Sequence, residues 1–352
     1  MGAPFVPPAP HIVILGAGAS KAAFCSGDRE GKLIPLMDQI PSILSPVWQN
    51  LLNDAKPPVS GFEPQFSWLR AKGEYKNELD RIELEIVDYF SSLELPDHPT
   101  IYDYLVLGLR PKDLVATFNW DPLLLLAHSR NRGVVELPDI RFLHGCVHYA
   151  TCAEHDVLGR LGEACPICSR PLRSGRLFFP DFDKDYTQDS LVQRDWDVTV
   201  ERLKKAFHLT IFGYSGPATD YKARELLLSG WGETPLRSVS HIEIIDIEKD
   251  EVLRERWKEF IPFQHDMVTP DYWCSTIAHW PRRTGEYKLS ASLYGIPSEE
   301  IGPIHTKFLS ELQDWHRRLG DAEFKTNDAQ QDAAEGQTSP GGQASPGSVN
   351  KS

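Results

Sequence analysis

Short, mostly apolar runs of four or five residues recur along the first 250 positions, and small or polar residues follow each run. The runs are residues 11–15, 114–117, 140–143, 209–212 and 242–245. Runs of this length bounded by turn-forming residues are typical of strands. The first run has four consecutive apolar residues, which indicates a parallel strand that is covered on both faces.

Longer segments between these runs carry apolar residues at the spacing of one helix face. The clearest is residues 78–93, where Leu79, Ile82, Ile86, Tyr89 and Phe90 form one stripe. Further helices are predicted over residues 191–207 and 303–318, and another begins at Pro122. Strands that alternate with helices predict an α/β protein with a Rossmann-like, doubly wound parallel sheet.

The chain of 352 residues is long enough for one large domain with insertions. We predict a single α/β domain over residues 1–320, with a helical insertion at 28–110 and a small cysteine-rich module at 146–175. Residues 321–352 are rich in Gly, Ser, Gln, Asp and Pro and have no periodic apolar face, which predicts a disordered tail.

Charge and composition narrow the possible partners. The formal net charge of −13 argues against nonspecific binding to nucleic acid or to an anionic membrane. The sequence contains no apolar run near the ~20 residues that span a bilayer, and its first residues do not resemble a signal peptide. We therefore expect a cytoplasmic protein.

Small and functional residues follow all five predicted strands. Since ligands bind beyond the carboxyl ends of strands in an open parallel sheet, we expect these residues to meet at one edge. The candidates are Gly16, Ala17, Gly18, Ala19, Ser20, Thr117, Asn119, Asp121, His144, Gly145, Gly213, Tyr214, Ser215 and Asp246. This gathering is the strongest indication of a ligand site.

Taken singly, each candidate has a purely structural alternative. The turn at Gly16 and Gly18 suits an approach to phosphates, but Lys21 stands where a dinucleotide fingerprint has its third glycine. A tight strand-to-helix turn without a ligand explains the same glycines. Asn119 and Asp121 also suit a turn in which Asp121 caps the following helix.

The remaining strand ends are equally open to a structural explanation. His144 is also compatible with an ordinary hydrogen-bonded histidine at a strand end. Asp246 is either a turn former or a ribose acceptor. Asp220 is expected to be a solvated helix cap.

The cysteine-rich module has two close pairs of possible metal ligands. Soft and borderline ligands at such spacing suit a structural zinc ion held in a closed tetrahedral site. The predicted ligands are Cys152, His155, Cys165 and Cys168. Cys146 or His148 remains an alternative to Cys152 or His155, and a loop of unpaired thiols is the structural alternative to the whole site.

The ordered set of motifs resembles the sirtuin superfamily over roughly residues 11–250. Residues 16–20 resemble its Gly-Ala-Gly phosphate loop, and 117–121 resemble its Thr-x-Asn-x-Asp segment. His144 and Gly145 resemble the segment with the catalytic histidine, which a zinc ribbon follows. Residues 213–215 resemble the later Gly-x-Ser phosphate contact, and Asp246 stands where the family usually has Asn for the adenosine ribose.

The resemblance is greater to the NAD-hydrolysing, defence-associated branch of this superfamily than to its deacylases. Deacylases carry a Pro-Asp-Phe-Arg segment shortly after the phosphate loop, and residues 20–29 lack it. The resemblance therefore implies NAD as the substrate, water as the acceptor, and nicotinamide and ADP-ribose as products, with a cyclised product as a further possibility.

The family resemblance also implies roles for individual residues. Asn119 would orient the ribose and the attacking water, and His144 would bond the ribose hydroxyls or act as general base. Asp121 would bind the nicotinamide carboxamide, and Asp246 the adenosine ribose. The diphosphate would lie between residues 16–20 and 213–215.

The same resemblance implies a restrained activity, because unchecked cleavage would drain the cell of NAD. The expected setting is antiviral (anti-phage) defence, with a homo-oligomer or a separate regulator such as an ATPase, an Argonaute-like protein or a sensor subunit. The rival functions are NAD-dependent protein deacylation, a non-enzymatic nucleotide-sensing module that binds a partner, and hydride transfer by a dehydrogenase. The missing third glycine and the zinc ribbon count against a dehydrogenase.

Overall fold

The computed structural model describes residues 9–152, 154–155, 157–174, 177–181, 184–232, 237–261, 265–294 and 300–336. Within these ranges the strands are β1 (His11–Leu15), β2 (Leu114–Thr117), β3 (Asp139–Phe142), β4 (Tyr149–Thr151), β5 (Leu158–Arg160), β6 (Arg173–Ser174), β7 (His208–Phe212), β8 (His241–Ile245) and β9 (Asp266–Thr269).

Helices cover most of the chain between the strands. They are α1 (Ala17–Ala23), α2 (Val47–Ala55), α3 (Phe62–Lys72), α4 (Lys76–Ser91), α5 (Ile101–Leu107), α6 (Leu123–Arg130), α7 (Ser190–Lys205), α8 (Tyr221–Trp231), α9 (Asp250–Trp257), α10 (Thr276–His279), α11 (Thr284–Tyr294) and α12 (Leu309–Gly336). Short 3-10 helices lie at Met37–Ile43, Tyr186–Gln188, Ala218–Asp220 and Tyr272–Cys274.

Six strands form one sheet in the order β3-β2-β1-β7-β8-β9, and every neighbouring pair is parallel. The predicted Rossmann-like, doubly wound sheet is confirmed. The chain builds outwards from β1 through β2 to β3, then returns to the other side of β1 for β7, β8 and β9. The strand order therefore reverses between β1 and β7, which is where open α/β sheets bind ligands.

Alternate residues of β1 explain why its apolar run is continuous. Val13 and Leu15 belong to the apolar cluster on one face of the sheet, and Ile12 and Ile14 belong to the cluster on the other. All five residues of β1 are buried. A strand covered on both faces needs apolar residues at consecutive positions, as the sequence predicted.

The helices α2–α5 occupy the predicted insertion and pack on one face of the sheet. The stripe predicted for residues 78–93 falls in α4, where Leu79, Ile82, Ile86 and Phe90 are buried. The start of α5 is fixed by Thr100, whose backbone N–H donates to Asp103 Oδ2 over 2.7 Å. The buried residues of these helices belong to the same apolar cluster as Val13 and Leu15 of β1, so the insertion and the sheet share one core.

The cysteine-rich module forms a second sheet. Strands β4, β5 and β6 pair antiparallel in the order β5-β4-β6. Tyr149 of β4 joins this module to the main domain, because its hydroxyl donates to Asp195 Oδ1 over 3.0 Å and its ring packs against Phe142.

The carboxyl-terminal part of the chain differs from the prediction at both of its boundaries. Helix α12 begins at Leu309 rather than at 303, and it continues to Gly336. The disordered tail stays a prediction: α12 includes residues 321–336, and residues 337–352 lie outside the described residues. Leu312 of α12 is fully buried against the domain. None of the helices described is long and apolar enough to cross a membrane.

Candidate functional site at the carboxyl edge of the sheet

Two glycine turns meet at the point where the strand order reverses. The turn after β1 contacts the turn after β7, and Gly18 N–H donates to Gly213 O over 3.0 Å. A Cβ atom on Gly16 would lie 2.5 Å from Gly213 O and from Tyr214 Cα. These glycines are therefore required by the close approach of the two turns, which supports the structural explanation of the motif.

The N–H groups of the first turn are largely used inside the protein. Gly16 N–H donates to Phe212 O over 3.0 Å, and Ala19 N–H donates to Gly16 O over 2.9 Å. With the bond from Gly18, three donors of the predicted phosphate loop already have partners. Phosphate binding by residues 16–20 and 213–215 stays a prediction.

Asn119 lies in a buried polar network beside the first turn. Its Nδ2 atom lies 3.0 Å from Gly16 O, 2.9 Å from Ser20 Oγ and 3.2 Å from Tyr102 OH. Because a carbonyl oxygen can only accept, the bond to Gly16 O fixes which end of the carboxamide carries the hydrogens. Oδ1 is therefore the end of the carboxamide that accepts hydrogen bonds.

Asp121 bonds to the start of the following helix, as its position suggested, and also to the first turn. Its Oδ1 accepts from the backbone N–H of Leu123 over 3.1 Å at the start of α6, and its Oδ2 accepts from Ser20 Oγ over 2.7 Å. Burial raises the pKa of Asp121 to about 6, against the hydrogen bonds that lower it. The carboxylate thus belongs to the Asn119 network as well as to the helix end.

Phe118 connects this network to the residues around His144. Its ring stacks on the Tyr214 ring with centroids 4.1 Å apart, and it meets the His144 ring edge-on at 4.8 Å. His144 thus contacts the residue next to Asn119 in the chain, and the two candidates follow the neighbouring strands β2 and β3.

His144 is held in a second buried polar network. Its Nε2 lies 2.9 Å from Tyr186 OH and 3.9 Å from Asp220 Oδ1. Burial, followed by the charge of Lys184, lowers the pKa of His144 to about 3, although Asp220 acts in the opposite direction. The imidazole is therefore neutral at physiological pH and keeps one ring nitrogen as a hydrogen-bond acceptor.

Asp220 is not the solvated helix cap that the sequence predicted. It stands at the start of α8, but its side chain makes no capping bond to the helix and is buried. It pairs with Lys184 and accepts from Tyr214 OH over 3.2 Å. Lys184 also lies 3.9 Å from Glu63 Oε1, so the network reaches α3 of the insertion.

Sequence reasoning missed four residues of these networks. Tyr102 and Glu63 lie within helices of the insertion, and Lys184 and Tyr186 follow the cysteine-rich module. None of the four follows a strand of the sheet directly, which was the signal used to select candidates. A buried lysine and a buried glutamate have no local signature, because burial is decided by the tertiary fold.

The site is closed in this structure. Asn119, Asp121 and His144 are 8%, 4% and 5% exposed. An open cavity of about 490 Å³ lies instead at the amino ends of β2 and β3, where Arg132, Leu137 and Arg202 contribute to its lining. That cavity is on the opposite edge of the sheet, and we place no chemistry there because the predicted residues are absent from it.

Two predicted binding residues lie outside the buried networks. Asp246 makes a turn after β8, since its Oδ1 accepts from Glu248 N–H over 3.0 Å. Ser215 is exposed after β7. Both lie at the carboxyl edge of the sheet, and their contacts to a ligand stay predictions.

The four predicted metal ligands come together in the small module. Their ligand atoms all lie within 4.8 Å of one another: Cys152, His155, Cys165 and Cys168. Cys152 Sγ is 3.7 Å from Cys168 Sγ and 3.4 Å from His155 Nδ1. Tetrahedral zinc with Zn–S of about 2.3 Å and Zn–N of about 2.0 Å separates its ligands by roughly 3.5–3.8 Å. The cluster fits a structural zinc ion.

The alternative ligands are excluded by position. Cys146 is buried in the main core, where its Sγ donates to Asp121 O over 3.3 Å. His148 is likewise not a member of the ligand group. Four protein ligands would leave a bound zinc ion no open coordination position, so the ion would hold the module together.

Comparisons with known proteins give only distant similarities. Neither a family model nor a curated protein matches the chain. A solved structure described as the structural basis of sirtuin substrate affinity is 17% identical, with a TM-score of 0.38, over 74% of this chain and 89% of that one. Sir2 bound to an acetylated peptide is 16% identical, with a TM-score of 0.37, over 74% of this chain and 88% of that one.

A third structure, of Sir2 with a peptide and NAD+, is 17% identical, with a TM-score of 0.37, over 74% of this chain and 88% of that one. These similarities are too distant to carry a functional conclusion for this chain. The sheet order and the contacts above define the fold and the candidate site independently of them.

Proposed function

We propose that this protein is an NAD+ hydrolase that cleaves the bond between nicotinamide and ribose. The observation that carries the proposal is that Asn119 contacts the turn after β1 and His144 lies beside Asp220 after β7, so that both polar networks border the point where the strand order reverses. This is the position at which such sheets bind nucleotides. The motifs that resemble those of sirtuins occur at the same strand ends.

Asn119 is suited to hold an attacking water. Its Nδ2 is fixed by Gly16 O and Ser20 Oγ, so Oδ1 is the end of the carboxamide that is left to accept a hydrogen bond from water. The bond from C1′ to the nicotinamide nitrogen breaks as the bond from C1′ to the water oxygen forms. Nicotinamide leaves as a neutral molecule with the electron pair, and the water loses a proton.

His144 is suited to accept a hydrogen bond from a ribose hydroxyl or to take the proton of the water. Burial, the main cause of its low pKa, keeps the ring neutral and able to accept a hydrogen bond, and it also makes His144 a weak base, which favours ribose binding over proton transfer. Asp121 would bind the nicotinamide carboxamide, and Asp246 the adenosine ribose. The zinc ion would stabilise the module next to His144 and take no part in the chemistry.

The closed site supports a restrained enzyme. Because Asn119 and His144 are almost fully buried, the dinucleotide requires a rearrangement before it can bind. We propose that a partner or self-association favours the open form, and that the setting is cellular defence by NAD+ depletion. The candidate partners are a second copy of the chain, an ATPase, an Argonaute-like protein or a sensor subunit.

The direct test is to incubate the purified protein with NAD+ and to identify the products by mass spectrometry. Asn119→Ala and His144→Ala are each expected to lower turnover at least ~100-fold. His128→Ala, a histidine on α6 beside the opposite edge of the sheet, is the matched control and is expected to keep activity. If either site variant consumed NAD+ like the wild type, the assignment would be wrong.

Two other results would identify different functions. Formation of O-acetyl-ADP-ribose from acetylated peptide and NAD+ would identify a deacylase. Nucleotide binding without turnover, with candidate partners present, would identify a nucleotide-sensing module, which the closed site also suits.

A further inference from the structure

Two polar groups lie near the Nε2 atom of His144, and a third lies behind one of them. Tyr186 OH lies 2.9 Å from it, and Asp220 Oδ1 lies 3.9 Å from it. Tyr214 OH donates to the other oxygen of Asp220 over 3.2 Å. His144, Tyr186, Asp220 and Tyr214 are all nearly buried. The Tyr186 hydroxyl is thus enclosed in a polar pocket inside the protein.

The spacing between His144 and Asp220 suits a bridging oxygen. A separation of 3.9 Å is too long for a direct hydrogen bond. A single oxygen about 2.8 Å from each atom would bridge them, with one bond to the nitrogen and one to the carboxylate. Two acceptors this far apart also match two neighbouring hydroxyl groups on one sugar ring.

The negative charge of Asp220 also suits the binding of a sugar hydroxyl group. Burial raises the pKa of Asp220, but the charge of Lys184 and the hydrogen bonds from Lys184 and Tyr214 lower it by more, so the net pKa lies below its usual value. Asp220 is therefore a carboxylate that accepts hydrogen bonds. Lys184 balances its charge, so a neutral hydroxyl group can approach without a new buried ion being formed.

We propose that the Tyr186 hydroxyl stands where a hydroxyl of the nicotinamide ribose binds, and that Asp220 and His144 together form the pair that binds the ribose diol. This inference rests on the proposed function and adds Asp220 and Tyr186 to its site. Asp220 is a binding residue for the sugar, and Tyr186 competes with the sugar for His144.

The competition gives Tyr186 an effect of defined sign. In Tyr186→Phe the ring is kept and only the hydroxyl is lost, so the substrate no longer has to displace a hydrogen bond to His144. A net hydrogen bond of about 1 kcal/mol corresponds to a roughly five-fold lower KM for NAD+, with little change in kcat. A hydroxyl that instead orients His144 for the reaction would lower kcat when removed.

The matched control for this variant is Tyr149→Phe. Tyr149 is also buried and donates its hydroxyl to a carboxylate, Asp195, but it lies in the zinc module. The KM of Tyr149→Phe for NAD+ is expected to equal that of the wild type. A Tyr186→Phe variant with an unchanged or higher KM, or with a lower kcat, overturns the proposal for Tyr186.

The role of Asp220 is tested by how strongly the enzyme prefers an intact nicotinamide ribose. The probes are NAD+ and an analogue that lacks the 3′ hydroxyl on the nicotinamide ribose. The wild type is expected to prefer NAD+ by at least ~10-fold in kcat/KM, because the analogue cannot form the hydrogen bond from the sugar to the buried carboxylate. Asp220→Asn is expected to reduce this preference to about two-fold, an effect that simple destabilisation does not produce.

The control is Asp195→Asn, which changes another buried carboxylate outside the site. It is expected to keep the full preference for NAD+. If Asp220→Asn discriminates between NAD+ and the analogue as the wild type does, the diol assignment is wrong.

Failure of the proposed function can be told apart from failure of this inference. If the wild type binds NAD+ without consuming it, hydrolysis is refuted and the same comparisons are made with dissociation constants. Tyr186→Phe would then tighten NAD+ binding, and Asp220→Asn would lose the preference for the intact ribose. If the wild type does not bind NAD+ at all, both proposals are wrong.

Discussion

Gly213→Ala perturbs the contact between the two glycine turns where the strand order reverses. Gly213 has φ +61°, and a Cβ atom there would lie 2.2 Å from Ala19 N and 2.5 Å from Gly18 C. Both neighbours are backbone atoms next to β1, so a side-chain rotation cannot relieve the overlap. The variant therefore tests whether the close approach of the turns stabilises the fold.

The expected loss of stability has two parts. The left-handed conformation costs about 1–2 kcal/mol for a residue with a Cβ atom. Overpacking against the backbone adds about 1–3 kcal/mol. We therefore expect the free energy of unfolding to fall by about 2–5 kcal/mol, which is a large part of the ~5–15 kcal/mol of a typical protein.

Urea unfolding of the purified variants measures this loss, and Gly133→Ala separates its two parts. Gly133 also has a positive φ, +80°, but its Cβ atom would have no neighbour within 4 Å. The control is expected to lose only the conformational part, about 1–2 kcal/mol. If Gly213→Ala were no less stable than Gly133→Ala, the turns would not be packed together as described.

Two further predictions concern the metal and the pH. The wild type should bind one zinc ion per chain. Cys165→Ser should lose the ion and melt at a lower temperature, whereas Cys146→Ser should retain it. A Cys165→Ser variant that holds as much zinc as the wild type would contradict the ligand set. Burial lowers the pKa of His11 and of His144 to about 3, and that of His316 to about 4. Since the unfolded chain takes up these protons near pH 6.5, stability should fall as the pH drops from 6.5 towards 4. Asp121 and Asp195, with pKa values raised to about 6, act in the opposite direction between about pH 4 and 6, but the histidine shifts are larger and more numerous. Urea midpoints measured from pH 7 to 4.5 test the sign, and a flat profile would contradict it.

The sequence alone determined the elements whose signal is local. Five strands of the main sheet were predicted within one residue at each end, because strands buried on both faces need consecutive apolar residues. The zinc ligands were predicted from spacing, because each pair sits on a short turn. The gathering of strand ends followed from the rule for parallel sheets, which brought Asn119 and His144 to one edge.

Other elements had too weak a local signal. Strand β9 was missed because only its last residue is fully buried, as suits a strand at the sheet edge, so its sequence lacks a continuous apolar run. Helix α12 continues through a polar segment that has no apolar stripe of its own.

Only the tertiary structure decided which side chains surround the candidate site. Lys184 meets Asp220 across 36 residues, and Tyr102 meets Ser20 across 82. Such contacts depend on how helices and turns pack over the sheet, and no local pattern records them. The same packing closed the site over His144 and left Asp220 buried, since burial belongs to the whole fold rather than to any segment of the chain.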